Sequence, residues 1–86
     1  MDVFVYFKSK QSYSRDEIEE AIEEILETRG EVTGSGSGTN GSNLDIEIYD
    51  ESDDEAVEQV KKVLRQMKVT NDTTIVVKGV RFNLYP

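Results

Sequence analysis

The side chains that most often carry covalent or acid–base chemistry are missing from this chain. It has no histidine and no cysteine, which removes imidazole bases, thiol nucleophiles and thiolate metal sites together. The remaining candidates are serines and carboxylates. The serines fall at helix starts or among glycines, and no recognisable motif places a base beside them. Asp45 and Glu47 are same-face neighbours on a strand, but paired carboxylates alone are common on protein surfaces and do not define a hydrolytic site. The sequence therefore predicts a non-enzymatic protein with no cofactor.

Two segments invite a binding reading and then weaken it. Asp50, Glu51, Asp53, Asp54 and Glu55 form an acidic run suited to calcium or magnesium, yet it lacks the glycine and terminal-glutamate spacing of an EF-hand loop. Negative charge at a helix start explains it without a metal. Residues 34–43 hold four of the six glycines and no apolar side chain. A phosphate cradle needs a strand before it, a helix start after it and usually a lysine. Here a strand follows, and no Lys or Arg occurs between Arg29 and Lys61. The segment is expected to be a loop joining two strands.

The elements that would position any site follow from periodicity. Asp2–Lys8 is rich in β-branched and aromatic residues and reads as a strand, with Val3, Val5 and Phe7 on one face and Phe4 and Tyr6 on the other. Ser14 and Glu17 have capping-box spacing, and Ile18, Ala21, Ile22, Ile25 and Leu26 draw one helical stripe. Gly30 is expected to stop that helix in a left-handed conformation. Glu31–Thr33 and Leu44–Tyr49 read as strands flanking the glycine-rich segment, the second alternating Leu44, Ile46, Ile48 with Asp45, Glu47, Tyr49. Ser52 and Glu55 repeat the capping-box spacing before a second helix, whose stripe is Ala56, Val60, Val63, Leu64 and Met67 with Val57 alongside. The tail, Thr73–Tyr85, divides at Lys78-Gly79 into a strand and a short extra strand.

That order predicts one α+β domain spanning residues 1–86, a ferredoxin-like β-α-β-β-α-β sandwich with an antiparallel sheet, both helices on one face and a short extra C-terminal strand. The other sheet face stays open. It would present Phe4, Tyr6, Asp45, Glu47 and Tyr49, with Arg81, Asn83 and Tyr85 near them on the tail. A second candidate surface is the outer side of the first helix, where Glu19, Glu20, Glu23 and Glu27 are among a nearly continuous run of acids.

Charge narrows the partners. With 18 Asp and Glu against 10 Lys and Arg, the formal charge is −8, and the field repels phosphate backbones and anionic headgroups. Nucleic acid and membranes are disfavoured; a basic protein is compatible. The absence of cysteine and of a long apolar run near the start leads to an expected cytoplasmic location.

In the stretches Gly30-Glu-Val-Thr-Gly-Ser-Gly36, Gly41-Ser-Asn-Leu-Asp-Ile-Glu-Ile48 and Thr73-Thr-Ile-Val-Val-Lys-Gly79, the chain resembles a group of small bacterial proteins of unknown function, some of them similar to toxin-immunity proteins. The resemblance implies the same element order and carries no catalytic residues. Two functional readings result. The first is a protein-binding module, of immunity-inhibitor type, for a basic partner. The alternative is a small-ligand regulatory module that dimerises through its sheet, so that the expected state is monomer or weak homodimer.

Overall fold

The computed structural model describes residues 1–39 and 41–85. Its elements are β1 (Asp2–Phe7), α1 (Arg15–Leu26), β2 (Gly30–Gly38), β3 (Gly41–Ile48), α2 (Asp54–Gln66), β4 (Thr74–Val77) and β5 (Val80–Asn83). The strands form one antiparallel sheet in the order β2-β3-β1-β4-β5. The chain is thus α+β, with β1 and β3 inside the sheet and the extra strand extending the β4 edge. Among the described residues, no helix is long and apolar enough to cross a membrane.

Alternation decides which face is covered. Val3, Val5 and Phe7 on β1, Leu44, Ile46 and Ile48 on β3, and Ile75 on β4 join one buried cluster with Ile18, Ile22 and Leu26 of α1 and Ala56, Val57, Val60 and Leu64 of α2. Each fully buried aliphatic side chain contributes about 1.5–3 kcal/mol relative to exposure, so this face holds the sheet and helices together. Asp2, Tyr6 and Glu47, which alternate with these, are exposed.

The helix ends differ from expectation in informative ways. At α1 the capping box forms: Ser14 Oγ accepts from the Glu17 N–H at 3.2 Å, and the Glu17 carboxylate accepts from the Ser14 N–H at 3.2 Å. The helix stops at Leu26, however, and the residue with positive φ is Glu27, at φ 55° and ψ −114°. Gly30 already lies in β2. Glycine is required there by close approach, since a Cβ would sit 2.5 Å from the Glu47 carbonyl oxygen.

At α2 the cap is Asp53, whose carboxylate accepts from the Ala56 N–H at 3.1 Å. The expected Ser52–Glu55 box does not form because Asp50 Oδ1 accepts from both the N–H and the hydroxyl of Ser52. Asp53 is further fixed by Arg29, whose Nε and Nη2 donate to its two oxygens at 2.9 and 2.6 Å. The far end of α2 closes with Lys68 at φ 55°, the Lys68 N–H bonding Arg65 O at 3.0 Å and the Val69 N–H bonding Leu64 O at 3.3 Å, a Schellman closure in which Val69 and Leu64 both join the buried cluster.

The glycine-rich segment is the main correction. Residues 34–38 continue β2 and residues 41–43 begin β3, paired down to Gly38 opposite Gly41, with a bulge between Val32 and Gly34. Asn40, part of the expected loop, lies outside the described residues. Glycine disfavours strands by itself, but β3 is anchored on β1 from Ser42 to Glu47 and supplies a ladder for β2. Gly41 is needed at the turn: its φ is +119°, and a Cβ would fall 2.1 Å from Phe7 O. The expected turn at Lys78-Gly79 is present, both residues having positive φ, at 52° and 78°, as two-residue hairpins of the sheet's twist require.

Candidate functional site

Register converts the open face into rows across the strands. Asp2 stands opposite Glu47, and Glu47 opposite Glu31. The next row is Phe4, Asp45 and Gly34, with Val76 on the other side of Phe4; the third is Tyr6, Asn43 and Gly36, with Thr74 on the other side of Tyr6.

The rows have different characters. In the third, Arg81 reaches across from β5 with its guanidinium carbon 5.1 Å from the Tyr6 ring centre, and its Nη1 donates to Thr74 Oγ1 at 2.8 Å. Asn43 Nδ2 donates to Asp45 Oδ1 at 3.1 Å. The centre of the face is therefore internally paired. The first row is not: among the described residues, Asp2, Glu31 and Glu47 have no ion pair, although like charges directly opposite on neighbouring strands repel.

Tyr49 closes this acidic end. Its side chain is 53% exposed, and its hydroxyl is held above the usual phenol pKa, first by desolvation, then by the Glu31 carboxylate and the charges of Glu47 and Glu23. All these effects disfavour the phenolate. Glu23 belongs to α1, so the charge of the helix candidate reaches the sheet candidate at Tyr49.

The structure distributes the expected residues unequally. Phe4, Tyr6 and Asp45 lie on the open sheet face, Phe4 and Asp45 half-buried. Glu47 and Tyr49 join Glu23 at the acidic corner. Glu27 follows α1 and contributes to the field on Arg29. Glu19, half-buried, and Glu20, exposed, are carried on α1 without entering the set that surrounds Tyr49. Tyr85 does not share the open face; it packs against the core and its hydroxyl donates to Val69 O at 2.7 Å.

Sequence reasoning missed Glu31 as a site residue. Its neighbours follow only from the register of the glycine-rich hairpin. Among the described residues, no group of three or more acids is close enough to hold a metal ion, so the carboxylates present a spread negative surface instead. Comparisons with protein-family models, curated proteins and solved structures find no match.

Proposed function

We infer that this chain is a non-enzymatic binding module that engages a basic segment of another protein at the Tyr49 corner. The observation that carries the reading is a half-exposed aromatic ring beside the cross-strand pair Glu31 and Glu47 and within the field of Glu23, with none of these acids in an ion pair among the described residues. An incoming Arg or Lys can stack on the ring while its charge relieves the cross-strand repulsion. Immunity-type inhibition of a basic partner is one biological form of this activity. The β1-to-β4 core is read as a ferredoxin-like sandwich, with β5 an addition on its edge.

The test is a two-dimensional NMR titration with the peptide acetyl-Lys-Arg-Gly-Lys-Arg-amide. Expected are shifts concentrated at residues 23, 31, 47 and 49, and a roughly five- to tenfold weaker affinity in Tyr49→Leu. Shifts spread evenly over all acidic residues, including Glu19 and Glu20, would reduce the attraction to bulk charge and refute a defined site.

A further inference from the structure

The opposite end of the molecule reverses the sign. Residues 3–15 contain Lys8, Lys10 and Arg15 and no acid, in a chain whose total charge is −8. Between β1 and α1 this stretch walls a cleft of about 500 Å³. Phe7 and Ile18 give it an apolar floor, while Lys10, Ser12, Tyr13 and Arg15 stand at its sides.

The connection is held in place by partners outside the cleft, Thr70 and Asp72. Gln11 Nε2 donates to Ser9 O at 2.8 Å and to Thr70 Oγ1 at 2.9 Å, and its Oε1 accepts from the Thr70 N–H at 2.8 Å. Ser9 Oγ donates to Asp72. Those bonds tie the segment to the α2–β4 connection and occupy Ser9 and Gln11, while four other side chains of the cleft stay unengaged. Among the described residues, Lys10, Ser12, Tyr13 and Arg15 make no side-chain hydrogen bond or ion pair. Arg15 is half-buried, and its Nε is buried with no partner. A buried donor left unpaired is costly unless something else satisfies its group. Glu17, the acid on the cleft wall, accepts from the N–H and hydroxyl of Ser14.

We propose that this cleft binds a small molecule carrying an oxyanion, phosphate or carboxylate, on an apolar body. The oxyanion lies between Lys10 and Arg15, with the Ser12 and Tyr13 hydroxyls as further donors, and the apolar body covers Phe7 and Ile18. This site differs from the Tyr49 corner in position and in ligand charge, so either can fail alone.

The experiment is an NMR titration of the full chain with phenyl phosphate, benzoate and benzyl alcohol. Expected are shifts at residues 9–15 with one or both oxyanion probes, the tighter one naming the headgroup, and weaker or no shifts with the alcohol. Arg15→Gln and Lys10→Gln should each weaken the better probe about tenfold, while Lys62→Gln, on the exposed side of α2, should leave it unchanged. The same spectra report whether each variant is folded. Equal response to the alcohol, no response at residues 9–15, or indifference to Arg15→Gln in a folded variant overturns the proposal.

Discussion

Replacing Glu27 with glycine should stabilise the fold although it deletes a side chain from the acidic surface. Glu27 sits at φ 55° and ψ −114°, and the Arg29 N–H bonds Leu26 O across it at 2.9 Å. This is the first central position of a tight turn of type II′ geometry, which glycine occupies at no steric cost. A residue with a Cβ pays roughly 1–3 kcal/mol there. Glycine returns about 0.5–1 kcal/mol through the greater freedom of the unfolded chain. The balance is a gain of about 1 kcal/mol, or an increase in Tm of roughly 4–8 °C for a domain of this size. Loss of one acid from a chain of charge −8 also relieves repulsion, so Glu27→Ala is the necessary control: it removes the charge and keeps the Cβ. Urea unfolding at pH 7 and fixed ionic strength, followed by far-UV circular dichroism, measures all three proteins. If the glycine variant is no more stable than the alanine variant, the backbone argument is wrong.

Gly30→Ala and Gly30→Asn should both destabilise by about 2 kcal/mol or more in the same unfolding assay, because the new Cβ meets Glu47 O at 2.5 Å; tolerance of Asn would indicate a left-handed cap instead. Lys68→Gly should raise stability by about 0.5–1 kcal/mol by relieving the positive φ at the end of α2, with Lys68→Ala giving no such gain. Arg29 holds the Asp53 carboxyl below its usual pKa, so this pair stabilises the fold at neutral pH and its contribution is lost as pH falls through the carboxylate range. Asp53→Asn should flatten the acid limb of a stability–pH profile, and an unchanged limb would contradict the pairing. Ultraviolet titration of the tyrosines should show one ionising late, and Glu31→Gln should bring it back toward the ordinary phenol range.

Much of the architecture was legible because hydrophobic spacing is a local signal. The alternation of Val3, Val5, Phe7 and of Leu44, Ile46, Ile48 predicts the core face, and Ser14 with Glu17 predicts the start of α1. The errors came where tertiary context overrides local preference. Gly30 looks like a helix stop until Glu47 is placed against it, and Ser52 looks like a cap until Asp50 takes its donors. Residues 34–38 look like a loop because their strand character is borrowed from β3. The acidic corner was half legible for the same reason: Glu47 and Tyr49 follow from alternation, whereas Glu31 and Glu23 depend on register and on helix placement.

The long edge strand gives the molecule a graded rigidity. β2 has a partner on one side only, and from Gly34 outward its side chains alternate between hydrogen and a serine hydroxymethyl group. Amide hydrogens near Val3, Val5 and Ile46 should exchange with deuterium only when the whole domain opens, whereas those of residues 35–38 should exchange by local fraying of the hairpin. Because Glu31 lies at the inner end of the same strand, opposite Glu47, the outer hairpin can open and close while the acidic corner keeps its geometry.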